Sequence, residues 1–166
     1  MIDVLVNALS GIPPELASLL LASVPVAESR VAIPVALFVF DLAATPTFIY
    51  TFIGNSLPVF ILFWILPACL EFLRRHVRWI DRWLVSWFEN MRTRYGESYS
   101  KWGAFFLFFF VVIPGIGTGA WGASLLGVLL KIDARLAVPS IIAGVFISGL
   151  AVLGVSLGVF SGIQLL

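Results

Sequence analysis

Charged residues are scarce in this chain. Only 11% of its 166 residues are charged, whereas 61% are hydrophobic, and the mean hydropathy is +1.08. A soluble domain has about 25% charged residues, because it needs a polar surface to face water. The net charge is only +1, and no basic domain is available to bind a nucleic acid. We therefore predict an integral membrane protein with no nucleic-acid partner.

Residues that carry catalysis or bind metals are also few. The only cysteine is Cys69, which excludes an internal disulfide, and the only histidine is His76. The apolar segments contain no histidine, no serine–histidine–aspartate set and no group of metal ligands. Residues 1–3 lack the basic start of a cleaved signal peptide. We expect a protein that is not an enzyme, has neither metal nor cofactor, and retains its hydrophobic segments.

What the chain does contain is a set of long uncharged segments. Residues 42–70, 102–130 and 136–166 are 29, 29 and 31 residues long and contain no charge. About 20 apolar residues are enough to cross a bilayer. A fourth segment, residues 16–40, is also long enough, but it contains one acid and one base.

Those two charges are Glu28 and Arg30, which lie between Pro25 and Pro34. An ionisable group at the centre of a membrane helix costs about 2.5–3.5 kcal/mol on insertion scales, so it is usually turned inward, paired and functional. Residues two apart diverge on a helix but point the same way in an extended turn. The flanking prolines permit the turn, which would direct both side chains into one pocket. The alternative is an ion pair that only stabilises the turn.

Basic residues concentrate in residues 71–101, which hold seven of the ten Lys and Arg residues. Apolar residues recur there at steps of three and four, from Leu73 to Tyr95, which is typical of one helix face. A basic, tryptophan-rich amphipathic helix lies flat at a membrane interface. Positive charge collects on the cytoplasmic side, so we place residues 71–101 there, together with a second basic cluster at residues 131–135.

With both basic clusters on one side, residues 102–130 should enter and leave the membrane on that side. Pro114 and alternating glycines interrupt the helix pattern within residues 112–120. We therefore predict a re-entrant hairpin that turns there. Non-helical backbone at this depth is tolerated only against protein or a water-filled cavity, so the turn should line a cavity.

The N-terminal half shows the same form in the opposite orientation. No Lys or Arg flanks residues 16–40, which is expected of an outer face. We predict a second re-entrant hairpin there, entering from outside, with its tip near residues 25–30.

Two spans complete the predicted fold. Residues 42–70 cross inward, with a kink at Asn55 and Pro58, and residues 136–163 cross outward, so that both termini lie outside. The fold class is an all-α integral membrane protein, one domain of residues 1–166, built as an inverted repeat of re-entrant hairpin plus transmembrane helix around a central amphipathic interfacial helix. Broken helices in inverted repeats are typical of secondary transporters.

The two hairpin tips should approach each other and form the site. Glu28 is the natural proton carrier, although burial favours its neutral form and Arg30 its ionised form. The backbone N–H groups of the glycine-rich tip, the N-termini of both returning helices and Arg30 together favour an anion such as phosphate or carboxylate. Alternatively, the glycines serve only close packing, and Trp121 is either a pocket wall or a packing residue. The candidate site residues are Glu28, Ser29, Arg30, Asn55, Pro114, Gly115, Gly117, Thr118, Gly119 and Trp121.

At these motifs the chain resembles the small multidrug export protein family of prokaryotic membrane proteins. The similar stretches are residues 25–34, 53–58, 95–96 and 113–123. The chain departs from the family pattern at five positions but keeps the charged pair. Those positions are Ser29, Val31, Gly115, Ile116 and Gly122.

The resemblance implies two facing re-entrant hairpins and transport across a prokaryotic plasma membrane. The family looks related to the DedA (SNARE-associated) superfamily. That superfamily includes proteins that look like proton-coupled lipid transporters, some of which return polyprenyl-phosphate carriers across the membrane. The phosphate head of such a carrier would suit the predicted site.

We therefore expect a proton-coupled transporter whose partners are protons, membrane lipids and a substrate with an anionic head group. Two alternatives stay open: an exporter of small amphipathic drugs, and a non-transporting scaffold or assembly factor that acts through its basic interfacial helix. The chain is short for an alternating-access transporter, and two copies could form a homodimer of more usual size. The small-residue face for that contact consists of Gly154, Gly158 and Gly162.

Overall fold

The computed structural model describes residues 11–76, 98–113 and 119–164, and the regular elements within them are all α-helices. The prediction of an all-helical protein is thus confirmed. The order of two short helices followed by a long one occurs twice along the chain. The helices are α1 (Pro14–Ser23), α2 (Glu28–Phe38), α3 (Ala44–His76), α4 (Ser98–Val112), α5 (Gly119–Leu129) and α6 (Ala134–Gln164).

The first two helices form a hairpin whose turn follows from local sequence. Pro14 opens α1, at a position where its missing N–H leaves no hydrogen bond unmade. The chain then turns through residues 24–27, and the backbone N–H of Glu28 donates to the carbonyl oxygen of Val24 at 3.1 Å. The turn ends at the first residue of α2, so Glu28 is held at the tip of the hairpin.

The two long helices each contain a segment that is long and apolar enough to cross a membrane. These segments are Ala44–Cys69 in α3, with a mean hydropathy of 1.8, and Ala134–Gly158 in α6, with 2.3. Helix α3 passes through Asn55 and Pro58 as one helix and continues to His76. The predicted span, residues 42–70, overlaps this apolar segment, and α3 continues from it into the charged residues that follow.

The predicted interfacial helix lies largely beyond the part of the chain that the structure describes. Residues 77–97 are outside the described residues. Helix α4 begins at Ser98, so its first four residues, up to Lys101, fall at the end of the predicted interfacial helix and the others in the predicted hairpin.

Each short hairpin packs on both long helices. Helix α1 lies against α3 and α4 lies against α6, while α2 also contacts α6 and α5 also contacts α3. The long helices meet through aromatic rings: Phe146 of α6 makes edge-to-face contacts with Phe48 and Phe52 of α3, at centroid distances of 5.3 and 5.7 Å. Both hairpin tips are thereby brought to the same central region of the bundle.

Large apolar side chains cover the outside of this bundle, and small residues fill much of its interior. Trp64 is 90% exposed and Trp102 is 71% exposed, whereas Ala17, Ala32 and Ala123 are fully buried. A soluble monomer rarely exposes extended apolar surface, whereas helices that pack within lipid use small residues at their contacts. The surface therefore fits a lipid environment.

Gly54 allows α1 and α3 to approach closely just before the polar residue Asn55. A Cβ atom at Gly54 would overlap the backbone of Leu19, including its carbonyl carbon at 2.9 Å. Backbone atoms cannot rotate aside as a flexible side chain can. This contact therefore fixes the position of Asn55 relative to the first hairpin.

We expect Gly54→Ala to lower the unfolding temperature of the purified protein in detergent, because overpacking costs about 1–3 kcal/mol. Gly154→Ala is the matched control, since no atom of the described residues lies within 4 Å of a Cβ there. Both variants gain about 1 kcal/mol of helix propensity, so the difference between them isolates the clash. Equal unfolding temperatures for the two variants would contradict the close approach of α1 and α3.

Candidate functional site

The site is built around Glu28, the first residue of α2. Its side chain is buried, with 7% of the residue surface exposed. Its backbone φ is +44°, in the left-handed region, which costs a non-glycine residue about 1–2 kcal/mol. Strain of this kind persists only where the surrounding structure fixes the residue, and it clusters at functional sites.

The Glu28 side chain reaches the first residue of α5, Gly119. A Cβ atom at Gly119 would overlap all three atoms of the Glu28 carboxyl group. Gly119 also has a φ of +61°, which glycine adopts without strain. Glycine is therefore required here for two separate reasons, and the tips of the two hairpins meet at this contact.

The N-terminus of α5 is directed at the Glu28 carboxyl group. The backbone N–H groups of Ala120 and Trp121 hydrogen-bond with that carboxyl group. The first N–H groups of a helix have no partner within the helix, and the helix dipole adds a partial positive charge at this end. Glu28 thus caps a helix that lies more than 80 residues further along the chain.

Trp121 connects a third helix, α1, to the same contact by a hydrogen bond. Its indole N–H donates to the carbonyl oxygen of Ser23, the last residue of α1, at 3.0 Å. The carbonyl groups at a helix C-terminus lack partners within the helix, so this hydrogen bond satisfies one of them. The sequence left open whether Trp121 is a pocket wall or a packing residue, and the structure adds a hydrogen bond of its indole group at the tip contact.

Asn55 of α3 holds the residue that follows Glu28. The Asn55 side-chain N–H donates to the hydroxyl oxygen of Ser29 at 2.8 Å, and both residues are buried. A buried side chain–side chain hydrogen bond fixes both groups, because leaving either one unpaired costs about 1–3 kcal/mol. The start of α2 is therefore held from α3 as well as from α5.

Three buried polar atoms at this site have no hydrogen-bond partner among the described residues. They are Oε1 of Glu28, Nη2 of Arg30 and Oδ1 of Asn55. Buried polar groups are nearly always paired, so unpaired ones mark a place for water, an ion or a ligand. Two of these atoms are acceptors and one is a donor, so the site can bind a group that combines both kinds of partner.

The geometry of the charged pair differs from the extended turn favoured by the sequence. Glu28 and Arg30 both lie in the first turn of α2, where residues two apart do not face each other. The charge of Arg30 acts on Glu28 through space, but Nη2 of Arg30 and Oε1 of Glu28 have no hydrogen-bond partner among the described residues. The prolines permit a turn only as far as residue 27, because α2 has already begun at Glu28.

Six of the ten candidate residues are brought together, and four cannot be placed. Glu28, Ser29, Arg30, Asn55, Gly119 and Trp121 lie at the meeting point of α2, α3 and α5. Pro114, Gly115, Gly117 and Thr118 lie outside the described residues.

Sequence reasoning missed the groups that act through their backbone. The carbonyl of Ser23 and the N–H of Ala120 both take part in the site, yet their side chains contain nothing that would single them out. The only signal for Ala120 is its position directly after a glycine that opens a helix. Within the described ranges, no group of three or more His, Cys, Asp or Glu residues could hold a metal ion.

Comparison with known proteins gives one match, to the sequence profile of a protein family. The sequence profile described as small multi-drug export protein matches residues 28–151, about three quarters of the chain. The matched region begins at Glu28 and includes all six site residues placed above. Searches of curated proteins and of solved structures found no match.

The contact between Glu28 and Gly119 can be tested by a double-mutant cycle. Gly119→Ala should be strongly destabilising in the wild-type background, because its Cβ displaces the Glu28 carboxyl group, and less so once Glu28→Ala has removed that group. We expect a coupling of about 1 kcal/mol or more in denaturant unfolding of the purified protein. Gly154→Ala combined with Glu28→Ala is the control pair and should be additive. Additive effects of Gly119→Ala and Glu28→Ala would show that the contact is not formed.

Proposed function

Because the chain belongs to the small multi-drug export protein family, we propose that it is a membrane transporter in which Glu28 exchanges protons and a substrate with an anionic head group binds between the two hairpin tips. The observation that carries this proposal is the Glu28 carboxyl group held against the N-terminus of α5. A buried acid at the junction of two hairpins is a suitable proton site, because a change in its charge alters the contact between them.

We propose that both hairpins are re-entrant. Helices α1, α2 and α5 contain 10, 11 and 11 residues, and at 1.5 Å per residue they are about 15–17 Å long. The fourth hairpin helix, α4, has 15 residues, of which the apolar part, Trp102–Val112, is as short as the other three helices. The hydrocarbon core of a bilayer is about 30 Å thick, so each of these apolar segments reaches about halfway. The tips would meet near the midplane, where the repeats of secondary transporters form their substrate sites.

The orientation follows from the basic residues. We propose that residues 71–101 and 131–135 are cytoplasmic and that both termini are outside, in the plasma membrane of a prokaryote. Helices α3 and α6 then cross in opposite directions, and each half consists of a hairpin plus a span. This inverted repeat, and a relationship to the DedA superfamily, are part of the same proposal.

The chemistry of the tips supports an anionic head group. The α5 N-terminus carries partial positive charge, and Nη2 of Arg30 is a buried donor without a partner among the described residues. A phosphate group, as in a polyprenyl phosphate or a phospholipid, combines negative charge with several acceptor oxygens. It would therefore satisfy both groups at once.

Export of small amphipathic drugs is the second candidate, and one observation favours it. Oε1 of Glu28 and Oδ1 of Asn55 are buried acceptors without partners in the described part of the chain, and a drug amine could donate to them. Arg30 beside them opposes a cation, which is why the anionic substrate is the first choice.

A flux assay tests the proposed function. We expect purified protein in liposomes to move a phosphate lipid or an amphipathic drug when a pH gradient is applied, and Glu28→Gln to abolish the dependence on the gradient, because the amide cannot exchange a proton. Glu15→Gln is the matched control: Glu15 lies in the first turn of α1, at the opposite end of that helix from the tip, and its loss should change the flux less than twofold.

Two outcomes would contradict transport. One is the absence of gradient-driven flux for both substrate classes. The other is a protein whose activity in cells survives Glu28→Gln but is lost when Arg74, Arg75 and Arg78 are neutralised together, which is the result expected of a scaffold that acts through its basic segment.

A further inference from the structure

The anion site expected at the second hairpin tip is already filled by the protein itself. The Glu28 carboxyl group lies directly on Gly119 and hydrogen-bonds with the backbone N–H groups of Ala120 and Trp121. A helix N-terminus offers only a few free N–H groups, and they point in one direction. A substrate anion and the Glu28 carboxylate therefore cannot occupy the end of α5 at the same time.

A second feature points to a ligand at the same place. Glu28 is more than nine-tenths buried, yet its Oε1 has no hydrogen-bond partner among the described residues. Arg30 is half-buried, and its buried Nη2 also has no partner among them. If Glu28 is protonated, its hydroxyl group becomes a donor. Arg30, the Glu28 hydroxyl and the vacated N–H groups of α5 would then all be donors, which is a set that suits an oxyanion.

We propose that the N-terminus of α5 and Arg30 form one binding site that the Glu28 carboxylate and an external phosphate-type anion occupy in turn, so that the anion enters as Glu28 takes up a proton. This inference takes its substrate class from the proposed function and adds how the Glu28 carboxylate leaves the N-terminus of α5 when the anion binds. One negative charge replaces another at the end of α5, and the proton on Glu28 neutralises the charge that is displaced.

The surroundings of Glu28 leave few other groups to respond to pH. Arg30, on the same helix, is the charged residue that acts on Glu28. The other helices packed near it contribute backbone N–H groups from α5 and the uncharged Asn55 from α3. Helix α3 also contains Glu71, Arg74, Arg75 and His76, but these are in its last six residues, 16 or more positions after Asn55 and so about 24 Å or more along the helix. Within the described residues, the acid of α1 is Glu15 at its far end, and the base of α6 is Arg135, which is exposed. A pH effect on anion binding at the tip is therefore assigned to Glu28, and binding should strengthen as pH falls.

The occupant is a phosphate diester or monoester, which could come from a lipid head group or from a free phosphate. Two probes separate these sources. Dimethyl phosphate is a soluble diester whose charge is constant between pH 5 and 8, and its binding is measured by titration calorimetry in phosphatidylcholine nanodiscs. Phosphatidylglycerol has the same diester in a lipid, and its binding is measured as the rise in unfolding temperature when it replaces part of the phosphatidylcholine.

We expect wild-type protein to bind at least one probe more tightly at pH 5.5 than at pH 7.5. Glu28→Gln should bind it about tenfold more tightly than wild type at pH 7.5, with no dependence on pH, because the competing carboxylate is gone. Glu28→Asp keeps the charge but shortens the side chain, and aspartate tolerates a positive φ. It should give an intermediate affinity, whereas general charge repulsion alone predicts the wild-type value. Glu15→Gln is the control and should match wild type.

The outcomes separate this inference from the proposed function. Shared occupancy is overturned if Glu28→Gln binds both probes no more tightly than wild type does. It is also overturned if that variant binds neither probe, even if pH-driven flux is observed. A second neutral variant, Glu28→Ala, must agree with Glu28→Gln, which guards against a folding defect in one of them. Tighter, pH-independent binding by both variants without any flux would support shared occupancy and contradict transport.

Discussion

The contact on which the site depends is the one between the Glu28 carboxyl group and the N-terminus of α5. It joins two hairpins that are far apart in sequence, and it is made by an acid in a strained backbone conformation and a glycine that leaves room for it. The hydrogen bonds from Asn55 to Ser29 and from Trp121 to Ser23 hold the two sides of this contact from α3 and α1. Removing the charge of Glu28 would weaken the interaction that attracts it to α5 and leave these uncharged hydrogen bonds in place.

The membrane imposes the second constraint. In lipid there is little hydrophobic driving force between helices, so close packing and polar contacts hold them together. The structure follows this pattern: small residues such as Gly54 allow close approach, large residues such as Trp64 face outward, and a buried hydrogen bond joins Asn55 to Ser29. The same medium makes an unpaired polar group costly, and the three atoms near Glu28 that lack a partner among the described residues are therefore the polar groups of this site with most to gain from a bound water or ligand.

Sequence alone predicted the helical class, the two long apolar spans and the residues whose chemistry is carried by side chains, such as Glu28 and Asn55. Charge patterning was enough for this, because charges are rare in the chain and each one is conspicuous. The predicted span of residues 42–70 overlaps the apolar segment Ala44–Cys69, and the charged residues that follow continue the same helix to His76. Sequence reasoning failed for the local conformation of Glu28 and Arg30, because proline spacing does not reveal where a helix begins. The roles of Ser23 and Ala120 were not predictable, since they act only through backbone atoms.

The most direct test of the central contact is the amide proton chemical shift of Ala120 and Trp121, measured by solid-state NMR on labelled protein in bilayers. If Glu28 caps α5, both amide protons resonate downfield in mildly alkaline buffer, as expected for a hydrogen bond to a carboxylate, and both move upfield in Glu28→Gln while Glu15→Gln leaves them unchanged. Amide shifts that do not respond to Glu28→Gln would contradict the capping contact, and with it the shared use of this helix end by proton carrier and substrate.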